Sequence, residues 1–454
     1  MTDGTSNLQR PQRALSEAAS SQEFRPVLSP RTGDARSVSV HWALGDSDPM
    51  QTTETARSDS LSALELCVGA GGLALAAAQA GFDRITAIDV HGPACETLRK
   101  NKSAGVKHVR DWTITEADIR DIDFKAHAGI DLLSGGPPCQ PFSFGGKRHG
   151  RKDEREMFPE FIRAVRESKP KAFVIENVKG LLCRATLPYF NYIIQQLQLP
   201  NHMREKREKW KEHRARLEGL YTSGKGEGTQ YRVIYQVLNG ASYGVPQRRE
   251  RVFIVGVRAD LGLKYNFPLA THSAESLWRE MWVTGDYWER HGVSKAARPE
   301  APAGVLDRLQ KCDATAQTKP WRTVRDAIKG LPFVGLGRTC HTFHNHFFND
   351  GARVYKGHDG SSLDAPAKTI KAGRNGVPGG ENMVRLDDGS VRYFTVRECA
   401  RLQTFPDEWA FDGSWCGCMR QIGNAVPVTL GEVVAAPLAA SLRELAKVSP
   451  TSRA

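Results

Sequence analysis

The sequence predicts an α/β fold: a doubly wound, mostly parallel sheet with a smaller, irregular second region. Three observations predict it. Between Leu61 and Arg258 short apolar runs alternate with helical patterns, the rhythm of βα units that build a parallel sheet. A glycine cluster, GAGG, follows the first apolar run. Asp89, Cys139 and Glu176 stand at or just past the ends of later runs, where open α/β sheets bind ligands.

The elements follow in order. Residues Met1 to about Ser60 are rich in Ser, Thr, Asp, Arg and Pro without a sustained period and read as a disordered leader. LSALELCV is then a strand, GAGG a tight turn, and LALAAAQAGF a helix with Leu73, Ala76, Ala77 and Ala80 on one face. The unit repeats as strand RITAIDV with helix GPACETLRKN, strand IDLLSGG with helix EMFPEFIRAVRES, and strand KAFVIENV with helix ATLPYFNYIIQQL. Strands YRVIYQVLN and RVFIVGVR complete a first domain, 61–258. Within it, about 201–230, lies a charged insertion, a helical segment followed by a Gly-rich tether, for which solvated charge pairs between turns are the plainer reading. From 259 to 390 the rhythm fades into Trp-, Pro-, Gly- and His-containing sequence, a second region. Regularity returns in 391–454 with helices TVRECARLQTF and VTLGEVVAAPLAASLRELAK, the latter suited to packing back on the first domain.

Composition bounds the class. The chain has 454 residues, of which 40% are hydrophobic, enough for two or three domains with a sizeable core. No run of eighteen apolar residues occurs, and MTDGTSNLQR lacks the regions of a signal peptide, so neither membrane insertion nor export is indicated and a cytoplasmic location is expected. Nine cysteines, an odd and scattered set, are expected to be reduced thiols. The 63 Lys and Arg against 51 Asp and Glu give a formal charge of +12, which favours polyanionic partners.

The chemistry-bearing residues sit in the turns. ELCVGAGG, Glu65 to Gly72, lets a ligand approach backbone and a helix N-terminus. Asp89 ends the next strand, where a carboxylate can accept from a ribose, while Asp118 suits either the same ligand or a helix N-cap. A dinucleotide fingerprint is incomplete, because Ala74 stands where the third glycine belongs. Cys139, in GGPPCQPFSFGG, is held on a loop stiffened by Pro137, Pro138 and Pro141; a structural cysteine would lie in an apolar stripe, so a nucleophile is the better reading, provided its thiol is activated. Glu176 and Asn177 end an apolar run, where a carboxylate is costly unless paired or kept to protonate and bond a substrate. In QRRER, Gln247, Arg249 and Arg251 share one face of a strand, a cationic set for a carbonyl or phosphate, although on this segment alone a solvated strand start is the plainer reading. CHTFHNH and CGC match no common zinc frame, so no metal is expected.

Taken in order, these pieces resemble the C5-cytosine DNA methyltransferases, over roughly Leu64 to Arg258 and Asp364 to Val428. ELCVGAGG, ITAIDV with a downstream Asn101, ADI, GGPPCQPFS, ENV, QRRER, TVRECARLQTFPD and RQIGNAVPV are similar to that family's motifs. The resemblance implies an S-adenosylmethionine-dependent, Rossmann-like catalytic domain and a target-recognition region between about Ala259 and Ser390. It implies that Leu66, Cys67, Gly69, Ala70, Gly72, Asp89, Val90, Asp118, Ile119, Pro137 and Asn424 line the cofactor site. Cys139, Glu176, Arg249 and Arg251 would meet the cytosine, and Gln247, Thr369 and Ile370 would bind substrate. Cys139 would add to C6 of a flipped cytosine, Glu176 would bond N3, and the two arginines would fix the C2 carbonyl. Two positions depart from the pattern: Asp89-Val90 stand where the family has Glu-Trp, and Cys67 where it has Phe, which reduces aromatic packing on the cofactor. By the same resemblance the partner is double-stranded DNA, a cognate restriction endonuclease shares the target sequence, and the enzyme acts as a monomer. Methylation of cytosine in RNA and a catalytically silent nucleic-acid-binding regulator are the alternatives; the long middle region, suited to a duplex groove, weighs against the first, and retention of all four residues at the cytosine against the second.

Overall fold

A computed structural model describes residues 60–138, 157–311, 318–335, 340, 342–356, 358–372 and 382–448. The expected leader up to Asp59, Cys139 with the rest of its loop, and 373–381 of AGRNGVPGGEN lie outside these residues.

Seven strands form the central sheet: β1 (Leu61–Leu66), β2 (Phe82–Asp89), β3 (Thr113–Glu116), β4 (Leu132–Gly135), β5 (Ala172–Val178), β6 (Tyr231–Asn239) and β7 (Glu250–Arg258). Their order is β3-β2-β1-β4-β5-β7-β6. All neighbours from β3 to β5 are parallel, and β7 runs antiparallel to both β5 and β6. The doubly wound reading therefore holds, with a reversed strand supplied by the hairpin-like pair at one edge. β1, β4 and β5 are buried along nearly their whole length, as strands covered on both faces must be. β3 was not anticipated from TITE: it is a short edge strand with both ends exposed, so no apolar alternation marks it.

Helices α1 (Gly72–Ala80), α2 (Gly92–Ser103), α3 (Phe158–Ser168), α4 (Leu187–Gln198) and α5 (Trp210–Ser223) join the strands. α3 buries Phe158, Phe161, Ile162 and Val165, spaced three and four apart on one face. α1 differs from its expected single apolar face, because every residue from Gly72 to Ala78 is buried. It lies between the sheet and the terminal helix Val428–Val448, and its alanines let both come close. The Arg443 guanidinium donates to the Gly81 carbonyl at 2.6 Å, and the Tyr265 hydroxyl to Val434 O at 3.1 Å, fixing that helix on the first domain. Trp415–Lys447 is apolar enough by composition to cross a membrane, but its buried face belongs to the main core.

Between β7 and residue 390 the elements are short, including helices Ala274–Arg279, Asp286–Arg290 and Val324–Ile328. Leu277, Met281, Tyr287 and Trp288 form a core of their own there. His346 of CHTFHNH is buried between Thr395 Oγ1 (2.9 Å) and Pro332 O (2.8 Å), a packing role.

Candidate active site

The turn after β1 is built for close approach. Cys67, Gly69 and Gly71 all have positive φ, at 54°, 54° and 85°, so the chain coils tightly between strand and helix. Asp89, at the end of β2, holds this turn: Gly69 N–H donates to its Oδ2 at 2.7 Å and His91 N–H to its Oδ1 at 2.8 Å. A side chain at Gly69 would meet nothing within 4 Å, whereas one at Gly72 would lie 2.2 Å from the Val426 carbonyl. Gly69 thus faces open space and Gly72 a packed wall. Val90 beside them is 67% exposed. Of the two roles weighed for Asp118 the cap is formed: it accepts Arg120 N–H at 2.9 Å at the start of the short helical turn Ile119–Asp121, and its carboxylate pairs with the Arg120 guanidinium. Burial first, then Asp89, Glu65 and Asp118, push the Cys67 thiol far up, so it stays protonated.

Not every expected cofactor residue offers its side chain. Leu66 and Ala70 are core residues at 0% and 1% exposure, and Ile119 is buried at 5%; contact from them is left to the main chain. Pro137 is buried, and its carbonyl accepts from Asn177 Nδ2 at 3.2 Å. Asn424 is exposed at the end of helix Trp415–Asn424.

The next turn begins at Gly135. A Cβ there would lie 2.4 Å from the Leu66 carbonyl, and one at Gly136 would be 3.5 Å from Glu176 Oε2, so the Gly-Gly pair threads between β1 and the Glu176 carboxyl. Glu176 forms an ion pair with Arg251, Nε to Oε1 2.9 Å, with side chains 8% and 14% exposed. Burial raises the carboxyl's pKa, and Arg251 and Arg249 oppose the rise without cancelling it. The pairing that offsets the cost of burying this carboxyl is therefore present, and its partner is an arginine of the QRRER motif.

Arg249, expected at the cytosine, and Gln247 and Ile370, expected to bind substrate, are built into the frame. Arg249 is buried, and its terminal nitrogens donate to Ile370 O (3.0 Å), Gly423 O (2.8 Å) and Ala425 O (2.9 Å). Gln247 is fully buried, donating to Leu402 O (3.2 Å) and Gln403 Oε1 (3.1 Å) and accepting Ile370 N–H (2.9 Å). The Ile370 side chain belongs to the core. The polar groups of Arg249 and Gln247 already serve partners within the protein, carbonyls for Arg249 and Leu402 O, Gln403 Oε1 and Ile370 N–H for Gln247, an arrangement that suits positioning. Thr369 keeps a half-exposed side chain and donates to Arg248 O at 2.8 Å.

Sequence reasoning missed Glu65. It is 2% exposed in β1, in register with Ser134 on β4, whose hydroxyl donates to its carboxyl. Burial pushes its pKa up to about 8, the Ser134 hydrogen bond counteracts, and Glu176 adds to the rise. The signal was in view: one carboxyl inside LSALELCV, flanked by leucines. Asn101 was named but not explained; its side chain donates to Ala410 O and accepts Ala410 N–H, at 2.7 and 2.9 Å, tying α2 to the closing motifs. In the middle region Phe347, Val354 and Tyr355 are more than half exposed. Among the described residues no group of three or more His, Cys, Asp or Glu is arranged for a metal.

Ligand turns gathered at the carboxyl ends of β1, β2 and β4, with a buried ion pair beside them, define an α/β enzyme that takes a nucleoside-bearing cofactor. Sequence comparison gives the particular kind. The profile of the C-5 cytosine-specific DNA methylases matches residues 61–201 and 211–439, and the chain belongs to that family. Type II methyltransferase M.Eco47II of Escherichia coli is 31% identical over 82% of this chain and 77% of its own length. M.NgoMIV of Neisseria gonorrhoeae is 30% identical over 84% and 98%, and M.PspPI of a Psychrobacter strain 33% over 82% and 77%. The protein is a DNA cytosine-5 methyltransferase with S-adenosylmethionine as its methyl donor. The turn leaves room for that donor: open space over Gly69 and the exposed apolar face of Val90, with Asp89 holding the turn through Gly69 N–H.

Proposed function

We propose that the enzyme methylates C5 of a cytosine flipped out of a short duplex sequence, through a covalent adduct of Cys139, as the methylating half of a type II restriction–modification pair. The observation that carries the reading is the buried Glu176–Arg251 pair lying against Gly136, three residues before Cys139. The names of the relatives support the type II setting.

C5 of cytosine is a poor nucleophile. Addition of the Cys139 thiolate to C6 moves the electron pair of the C5–C6 bond into the ring, and a proton on N3 receives the charge. Glu176 suits that task, because burial raises its pKa and it shares its proton with a bound base more readily than an exposed carboxylate does. Arg251 holds Glu176 in place and offers further N–H groups to the C2 carbonyl. S-adenosylmethionine supplies an electrophilic methyl group to the C5 so activated. Loss of the C5 proton to solvent, with return of the N3 proton to Glu176, then restores the C5–C6 double bond and expels the Cys139 thiolate. A base inside the duplex cannot reach these residues, so flipping is required, and the net charge of +12 favours the phosphates on either side. Gly69, Asp89, Val90 and Asp118 form the cofactor side of the pocket, and Arg249 with Gln247 keeps the QRRER strand in register with the closing motifs.

Expression in a methylation-free host, with 5-methylcytosine mapped in DNA and RNA, tests the reading. A single short DNA context is the expected result, lost in Cys139→Ala. Methyl marks confined to RNA, or undiminished marks in Cys139→Ala, contradict it.

A further inference from the structure

The charged segment between α4 and β6 has no part in the chemistry above. The family profile matches residues up to 201 and again from 211, so 202–210 lie outside the matched stretches. Its polypeptide is firmly anchored. His213 of α5 is fully buried; its Nε2–H donates to the His202 carbonyl at 2.8 Å, leaving Nδ1 to accept the Tyr192 hydroxyl at 2.7 Å. Burial lowers its pKa, in keeping with that neutral tautomer. Tyr192, Leu199 and Leu217 pack α5 onto α4. Glu208 accepts from Arg216 at 2.8 Å, and Glu212 accepts Lys209 N–H at 2.9 Å.

That arrangement engages Glu208 and Glu212 locally and leaves outside a mainly cationic set that includes the exposed Glu205. Arg204, Lys206, Arg207 and Lys211 are all exposed, and none has an ion-pair partner among the described residues. Of the charge pairs expected there, Glu208–Arg216 is formed, and the buried His213 and Leu217 hold the helix with it. The segment enters β6 at Tyr231, paired with Arg258, while the site lies at the other end, where Leu238 pairs with Arg251. Seven residues of strand separate the two edges, roughly 23 Å.

We propose that Arg204, Lys206, Arg207 and Lys211 form a second, sequence-independent contact for the phosphate backbone of duplex DNA, engaging a segment other than the one in the cleft. A rigid set of unpaired cations releases counterions from DNA without reading bases. Held at the far edge of the sheet, it tethers the enzyme to long DNA between turnovers. The proposal rests on the enzyme's activity on DNA and extends it.

The test compares wild type with a variant carrying Arg204→Ala, Lys206→Ala, Arg207→Ala and Lys211→Ala. Affinity for long duplex without the target sequence is followed from low to high salt. Loss of three to four phosphate contacts is expected to make the slope of log K against log salt shallower by about 3 to 4. Turnover on a target duplex of about 12 base pairs, roughly 40 Å long, is expected to stay at the wild-type level, which keeps the DNA-methylation reading separate. An unchanged slope with long duplex overturns the proposal. So does an equal loss on the short duplex, which would place the cations in the cleft. A change seen with single-stranded RNA and not with duplex DNA assigns the surface to another partner and also overturns it.

Discussion

Replacing Glu65 by glutamine probes the electrostatics beneath the active site. The Glu65 carboxyl is 2% exposed and its pKa is pushed from 4.5 to about 8 by burial, with Glu176 adding to the rise. Between those two values the folded protein binds more protons than the unfolded chain, so stability falls as pH rises through that window and levels off above it. A gap of about 3.5 units at about 1.36 kcal/mol per unit sets a limit near 5 kcal/mol, of which about 3 to 4 kcal/mol develops between pH 5 and pH 8. Glutamine removes the titration. It also adds a buried N–H2 group beside Ser134, a pH-independent cost of about 1 to 3 kcal/mol. The variant is therefore expected to be less stable than wild type at pH 5 and comparable or more stable at pH 8. Urea unfolding followed by tryptophan fluorescence at pH 5, 6, 7 and 8 measures this, with midpoints compared at constant m. Parallel pH profiles for the two proteins would refute the placement of a protonated acid at this position.

Five further substitutions separate frame from chemistry. Arg249→Ala strips donors from the buried carbonyls of Ile370, Gly423 and Ala425 and is expected to cost about 3 to 6 kcal/mol, while Arg251→Ala leaves these bonds intact and lowers kcat at least about 100-fold; thermal melts and labelled methyl transfer distinguish them, and a wild-type melt for Arg249→Ala would return Arg249 to the base. Gly72→Ala drives a methyl group into the Val426 carbonyl at 2.2 Å and is expected to destabilise by about 2 kcal/mol or more, whereas Gly69→Ala, with open space but φ of 54°, costs about 1 kcal/mol and weakens cofactor binding. Val90→Trp at a 67% exposed position leaves the melt unchanged and tightens S-adenosylmethionine by about 2- to 10-fold through ring stacking, read by calorimetry.

The sheet was legible because its strands are local signals. AFVIEN and VFIVGV are buried runs whose length and β-branched content define them without reference to partners. β3 escaped because an edge strand of four residues needs no apolar face. Helix Trp415–Asn424 escaped for a different reason: WCGCMRQIGN contains two glycines and two cysteines, a weak helix by propensity. Its stability comes from packing, with Cys418, Met419 and Ile422 in the main core.

The arginines show where local reading stops. Period two puts Arg249 and Arg251 on one face of the strand, and in the structure both do influence Glu176. What separates them is depth, set by partners that no local pattern contains: Arg249 donates to carbonyls 121, 174 and 176 residues away, while Arg251 meets a carboxyl on the neighbouring strand. Those carbonyls belong to the segment around Ile370, to the end of helix Trp415–Asn424 at Gly423, and to Ala425 in the turn that follows it. The same turn supplies the Val426 carbonyl against Gly72. The closing motifs are thereby fastened at two points, to the QRRER strand by Arg249 and to the cofactor turn by Gly72. Motion of the closing segment would disturb the base side and the cofactor side together, so Arg249→Ala is expected to raise the Kd for S-adenosylmethionine as well as lower the melt, although Arg249 has no place in the cofactor pocket.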